Sequence, residues 1–300
     1  MRVLYFGLTG EFSLIPMQAL LASGTAVCGV VVPENATADA QPIVPLPPRP
    51  RPSSLPMQTT YAAPNIIHLA WAHNIPAFAM RRAAHPETEA VLASLQPDVA
   101  CVACFTHRIP VNLLALPPHG FLNLHPSLLP AYRGPSPLFW QLRRGETETG
   151  VTIHFMDEGL DTGDIAAQAR VDFPEGADGA ALDRLLASKG SDLLWGVLGQ
   201  LHSGHGRRRP QPAGDHAQPS PQAADFRLDT RWPARRAFNF MRGTAEWGRP
   251  YPVTVAGQAL RLKAAVSYDP DAFLAQPLLR EGNTLSIQFT PGVLRAVAYD

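Results

Sequence analysis

Lysine is almost absent from this chain: it occurs only at Lys189 and Lys263, so arginine carries nearly all of the positive charge. Basic and acidic residues number 25 each, the formal net charge is zero, and charged residues make up 17% of the 300 positions, where about a quarter is usual. No overall positive field exists to draw in a polyanion, so any nucleic-acid contact has to rest on a local basic patch. Cysteine is as scarce, and Cys28, Cys101 and Cys104 cannot make a disulfide framework. No segment approaches the roughly 18 uninterrupted apolar residues needed to span a bilayer. The opening Met1-Arg-Val-Leu-Tyr-Phe-Gly7 reads as a short strand running into a glycine turn, not as a cleavable leader. These shortages argue against a secreted disulfide scaffold and a membrane protein, and leave a cytoplasmic globular protein as the expectation.

What the chain has is an apolar fraction of 46% and 31 prolines: enough for a buried core, with stiff loops around it. Apolar strand-like runs at Val3–Phe6, Val27–Val32, near Ile75–Phe78 and at Val99–Cys104 alternate with helical stretches over Ser13–Ala22, Asn65–His73 and Glu87–Leu95. That alternation predicts an α/β domain with a parallel sheet covered on both faces, whose ligands bind beyond the carboxyl ends of its strands. Between Pro33 and Pro64 it is interrupted by a polyproline stretch, predicted to be a long surface loop. A helix over Gly179–Leu201 is followed by a Gly-, Pro-, Gln- and His-rich tract. The chain therefore divides on sequence into a domain at 1–201, a linker at 202–225 and a C-terminal domain at 226–300. The last begins with a helix over Pro233–Met241 and continues in short segments, Val253–Val255, Ala259–Val266, Thr284–Phe289 and Val293–Ala298, spaced like a small β-barrel or sandwich.

Three polar groups stand out against this background. Asn123 and His125 interrupt the apolar run Phe121-Leu-Asn-Leu-His-Pro126, and their i, i+2 spacing puts them on one face of an extended segment. Asp161 follows in Asp157-Glu-Gly-Leu-Asp-Thr-Gly-Asp164, where Gly159 and Gly163 permit a tight loop that turns a carboxylate back. An amide donor, an imidazole and a carboxylate are the parts that acyl transfer to an amine needs: a donor for the carbonyl oxygen, stabilisation of the oxyanion and a base for the amine proton. A histidine after a strand is commonly a hydrogen-bonded structural residue. His107, His125 and His154 lack the helical pair spacing of a zinc site, and the acidic loop lacks the EF-hand pattern, so no metal is expected. Cys101 and Cys104 lie on a predicted buried strand with side chains on opposite faces, which disfavours a redox pair.

The run Asn123-Leu-His125-Pro-Ser-Leu-Leu-Pro130 with Arg133-Gly134, the strand Glu148-Thr-Gly-Val-Thr-Ile-His154 and Leu160-Asp-Thr-Gly-Asp164 closely resemble the formyltransferase family that uses 10-formyltetrahydrofolate. The resemblance covers roughly residues 1 to 200. It implies a Rossmann-like catalytic domain, and the tail beyond about 226 looks like the small, OB-like C-terminal domain of the family's methionyl-tRNA members. It further implies that Asn123 donates to the formyl oxygen, that His125 stabilises the tetrahedral oxyanion, and that Asp161 orients His125 and helps move the proton. Folate would lie between the loop carrying Phe105, His107 and Ile109 and the loop of Asp157, Glu158, Gly159 and Leu160. Thr9, Gly10 and Phe12, in the turn after the first strand, and Arg133 would face the acceptor. Ser127–Pro130 and Tyr132–Gly134 would hold the active-site loop, and His154 matches a family histidine read here as a packed strand residue.

The departures concern the acceptor. In the tRNA enzymes the insertion after the second strand and the linker are notably basic; here the insertion offers Arg49 and Arg51, preceded by Glu34 and Asp39, and the linker offers Arg207, Arg208 and Arg209. The two-domain layout, the turn Phe6-Gly-Leu-Thr-Gly-Glu-Phe12 and the insertion after the second strand resemble the family's tRNA enzymes, so the resemblance implies initiator methionyl-tRNA as acceptor. That reading survives the scarcity of lysine because arginine suits phosphate well. The alternatives are a small amine such as a nucleotide-linked amino sugar, water, or a non-enzymatic folate- or RNA-binding role.

Overall fold

The computed structural model describes residues 1–35, 37, 40–48, 64–212 and 217–299. Most of the proline-rich stretch, with Arg49 and Arg51, lies outside them. Contacts divide the chain into two compact units: 1–133 with 150–169 and 184–215, and 134–149 with 170–183 and 216–300.

The chain begins β1 (Arg2–Gly7), α1 (Glu11–Ala22), β2 (Ala26–Pro33), β3 (Ile43–Pro45), α2 (Ile66–Ala72), β4 (Ala77–Met80), α3 (Pro86–Ser94) and β5 (Val99–Ala103). It continues α4 (Val111–Leu114), β6 (Phe121–His125), α5 (Pro137–Arg144), β7 (Glu148–Phe155), β8 (Ile165–Asp172) and α6 (Gly179–His202). The eight strands form one sheet in the order β3-β4-β2-β1-β5-β6-β7-β8. Its centre is parallel, from β4 through β2, β1 and β5 to β6, as the apolar strands predict. Val3, Leu4, Tyr5 and Phe6 of β1 are all buried, which is why that strand is apolar without alternation. Outside this centre the sheet is mixed: β3 pairs antiparallel with β4, and β7 antiparallel with β6.

Local chemistry sets the ends of the helices. The Asn65 side chain accepts from the backbone N–H groups of Ile67 and His68 at 3.0 and 3.1 Å, satisfying two donors that the first turn of α2 leaves over. Pro86 stands at the start of α3 and Pro137 at that of α5, where a missing N–H costs nothing. Gly190 lets α6 close onto β6: a Cβ there would come within 2.5 Å of Leu124 Cδ1. Leu124 separates Asn123 from His125, so this contact fixes the strand that carries both.

The second unit contains α7 (Ala234–Gly243), β9 (Tyr251–Val255), β10 (Gln258–Asp269), β11 (Leu278–Glu281), β12 (Thr284–Gln288) and β13 (Val293–Ala298). The strands form a five-stranded antiparallel sheet in the order β11-β12-β13-β10-β9. Four match the segments expected from sequence, and β11 is the one not foreseen. The core of this unit is aromatic: Phe139 of α5, Phe226, Phe240 of α7 and Tyr251 of β9 are buried together. Tyr251 donates its buried hydroxyl to the Met241 carbonyl and shares a hydrogen bond with Thr244 Oγ1. Burial pushes its pKa up to about 12, so the phenol stays neutral.

Candidate active site

The parallel register places the site. Gly7 of β1 pairs with Ala103 of β5, and Ala103 with Leu124 of β6. The loops that leave the carboxyl ends of these three neighbouring strands therefore emerge along one edge. Thr9 and Gly10 sit exposed in the first of them. Ser13, just inside α1, ties it down: its hydroxyl donates to the Ala103 carbonyl at 2.6 Å and accepts from the Leu8 N–H at 2.9 Å. Phe12, expected beside Thr9 and Gly10 as an acceptor contact, is instead buried. Its ring points inward from α1, so its side chain is spent on the core.

Asn123 and His125 occupy the end of β6, and antiparallel pairing with β7 sets His154 opposite Asn123 and Thr152 opposite His125. Asp161 closes the group from the loop beyond β7. Its carboxylate lies 3.7 Å from His125 Nδ1, 3.5 Å from His154 Nε2 and 3.4 Å from Asn123 Nδ2. The structure thus gathers the three residues singled out by sequence and adds His154, which strand reading left as a packing residue. Asn123 Nδ2 also lies 3.1 Å from His154 Nε2.

The hydrogen bonds assign the imidazole protons. A carbonyl oxygen only accepts, so His154 must carry its proton on Nδ1, 3.0 Å from the Phe155 carbonyl, and present Nε2 to the Asn123 amide. Likewise His125 donates from Nε2 to the Tyr132 carbonyl at 2.9 Å, which leaves the Nδ1 lone pair facing Asp161. Burial pushes the His125 pKa below its ordinary 6.5; His154 adds to that, while Asp161 and the Tyr132 carbonyl pull it back. His125 is therefore a neutral base at pH 7, held next to a carboxylate that would stabilise its protonated form.

Two loops frame this cluster. After β6, Ser127 Oγ donates to the Ala131 carbonyl at 2.7 Å, and Tyr132, with φ of +60°, turns its carbonyl onto His125. Thr152 Oγ1 donates to the Ser127 carbonyl and accepts from the Leu129 N–H, while Gln168 Nε2 reaches the Leu129 carbonyl at 2.8 Å. Beyond β7, Asp157 Oδ1 accepts from the Gly159 N–H and the Thr162 hydroxyl. Gly163 has no alternative there: a Cβ would stand 1.9 Å from the Phe155 carbonyl oxygen.

The residues expected to flank folate lie on two loops that touch each other. Arg108 Nη2 donates to the Glu158 carbonyl at 2.8 Å, joining the 105–110 loop to the 157–160 loop. Phe105 packs edge-on against Phe6 with centroids 5.2 Å apart and lies 5.9 Å from the His107 ring. The Ile109 side chain belongs to the core, so only its backbone is available to a ligand. Leu160 stands largely exposed, and Glu158 and Gly159 are exposed beside it. Arg133 is held by Gln211 Oε1, at 3.1 Å from Nε and 2.6 Å from Nη2. Gln211, Arg108 and Ser13 escaped the sequence reading because each acts through a partner distant in sequence.

Comparison with known proteins agrees with this geometry. The family described as formyl transferase matches residues 19–198. The chain is 36% identical to the methionyl-tRNA formyltransferase of Chloroflexus aurantiacus over 272 residues, covering 89% of this chain and 81% of the relative. It is 31% identical to that of Symbiobacterium thermophilum, covering 90% and 78%. Among solved structures, the fold matches an N-formyltransferase from Helicobacter canadensis, described in complex with folinic acid and dTDP-3-aminofucose. That match has a TM-score of 0.68, covers all of both chains and has 14% identity. It also matches glycinamide ribonucleotide transformylase 1 from Symbiobacterium toebii, with a TM-score of 0.51, 24% identity, and 71% and 94% coverage. With this sequence match behind the geometry of Asn123, His125 and Asp161, the chain belongs to the formyl transferase family.

Proposed function

We propose that this chain transfers the formyl group of 10-formyltetrahydrofolate to the amino group of methionyl-tRNA, in the cytoplasm. The observation that carries the chemistry is the neutral His125 with its Nδ1 lone pair toward Asp161, beside an amide donor at the end of β6. The acceptor amine attacks the formyl carbon, and the carbonyl oxygen becomes an oxyanion. One Asn123 N–H is committed to His154; the other makes only a 3.4 Å contact with Asp161, long enough to be given up to the formyl oxygen. His125 takes the amine proton on Nδ1, and the imidazolium is stabilised by Asp161. The tetrahedral intermediate collapses with cleavage of the bond to the folate nitrogen, which receives the proton. The new C–N bond replaces the old one, and no covalent enzyme intermediate is required.

The folate would lie against Phe105, the backbone of His107 and Ile109, and the Asp157–Leu160 loop; Thr9, Gly10 and Arg133 would face the acceptor. In this reading residues 1–201 carry the catalysis, 202–225 the connection and 226–300 a domain that serves the acceptor, with arginine in place of lysine at phosphates. The acceptor rests on relatives 31–36% identical over about nine-tenths of the chain. A small amine is the second reading, favoured by the full-length likeness to the Helicobacter canadensis enzyme.

The test is to give the protein 10-formyltetrahydrofolate and charged initiator methionyl-tRNA and to follow formyl-methionine. Product is expected, with acceptor binding that weakens as salt rises, because phosphate contacts release counterions. No product with tRNA, together with turnover of a nucleotide-linked amino sugar, would refute the tRNA assignment.

A further inference from the structure

We infer that Gln211, in the tract that follows α6, is a positioning residue for Asp161. The inference rests on the catalytic reading of Asp161 given above. The Gln211 amide makes four hydrogen bonds whose partners leave only one orientation. Its Nε2 faces two carbonyls, Asp161 O at 2.9 Å and Gly163 O at 2.7 Å, which can only accept. Its Oε1 faces the Arg133 guanidinium, which can only donate. One half-buried side chain therefore links the loop after β6 to the loop that carries Asp161.

That loop needs the support. Asp161 has φ of +56°, a left-handed conformation that costs a non-glycine residue about 1 kcal/mol or more. With the backbone so turned its carboxylate lies 3.7 Å from His125 Nδ1 and 3.5 Å from His154 Nε2. Asp157 pins the start of the loop, and the pairing of the Phe155 N–H with the Asp164 carbonyl pins its end. Gln211 grips the middle, at Asp161 and two residues on. The tract is itself anchored before it arrives. Arg208 stacks on the Phe155 ring, 3.7 Å from its centroid, and the Arg209 backbone pairs with Ile165 in both directions. The Arg209 side chain reaches Gln168 Oε1 at 2.7 Å, and Gln168 in turn holds the Leu129 carbonyl. Residues 208–211 thus act on both loops that frame the histidine.

The test compares Gln211→Met and Gln211→Glu with wild type. Both keep the length of the side chain and neither can donate to the two carbonyls, while the glutamate still accepts from Arg133. A loss of about 10- to 100-fold in kcat is expected in each, as for a small displacement of a catalytic group, with KM for the folate donor little changed. The acid limb of the kcat–pH profile should move to lower pH, because a displaced Asp161 no longer raises the His125 pKa. A merely structural role would lower thermal stability and leave that limb in place. If the methionine variant does not fold, the glutamate variant carries the comparison. Asp161→Asn in the same assay separates the two ideas: if it stays active, the catalytic reading itself fails. If it is inactive while both Gln211 variants keep wild-type kcat and an unmoved acid limb, the role of Gln211 is overturned.

Discussion

Replacing Asp161 with asparagine removes one charge at nearly constant shape, and the structure gives a size for the consequence. The carboxylate is 3.7 Å from His125 Nδ1, and the two side chains are 11% and 5% exposed. With an effective dielectric of about 20, a unit charge at that separation stabilises an imidazolium by about 4.5 kcal/mol. At about 1.4 kcal/mol per factor of ten this is roughly three decades in the rate of a step that passes through protonated His125. The amide has a second effect of the same sign, since its N–H can donate to the Nδ1 lone pair and hold the imidazole neutral. A loss in kcat of about 10²- to 10³-fold is therefore expected once part of the charge term is set against solvent screening. Tetrahydrofolate release in the presence of acceptor amine measures it, and equilibrium binding of the folate should be nearly unaffected. A rate close to wild type would refute the assignment of Asp161 as the partner of the catalytic base.

The same burial makes a prediction for folding. The native His125 pKa lies below 6.5, so between the two values the unfolded chain binds a proton that the native chain does not. This site's contribution to stability is thus constant above about pH 6.5, falls as pH drops from there to the native pKa, and is level again below it. Urea unfolding across that window should lose this slope in His125→Gln, and an unchanged slope would count against the buried neutral form. In the aromatic core of the second unit, Phe240 is fully buried among Phe139, Phe226, Trp232 and Tyr251. Phe240→Ala should cost about 3–5 kcal/mol in denaturant unfolding, and a loss below about 1 kcal/mol would mean that the ring is not packed as described.

How far the fold was legible depended on how much each element says by itself. The strands β1, β2 and β5 are apolar because both faces are buried, and that shows in composition alone. The edge strand β11, Leu278-Leu-Arg-Glu281, does not show, because it is short, mostly exposed and held by pairing with β12 through Leu278–Ile287 and its neighbours. Nor does sequence give the direction of β7. His154 reads as an ordinary strand residue until antiparallel pairing with β6 sets it opposite Asn123, and only this register turns three candidate groups into four. Asn123 and His125 were legible for a different reason: a buried apolar run does not tolerate two polar side chains unless something satisfies them.

Composition fails most instructively at the tract after α6. Its Gly, Pro, Gln and Arg content is that of a solvated connector, yet Arg208, Arg209 and Gln211 meet specific partners that lie far back in the chain. Gln211 meets Asp161 across 50 positions and Arg133 across 78. The basic triplet Arg207–Arg209 illustrates the same point for the acceptor. Arg208 is stacked on Phe155, and one Arg209 nitrogen donates to Gln168, so the run also braces the loops around His125 and Asp161. Arginine makes this double use feasible, since its planar guanidinium stacks and forks where an ammonium would do neither. Neither Phe155 nor Gln168 is anionic, and Arg207, Arg208 and Arg209 are all exposed, so the triplet keeps its positive charge available to phosphates. Binding of a phosphate-bearing acceptor should therefore weaken as salt rises, with the exposed triplet contributing to the slope.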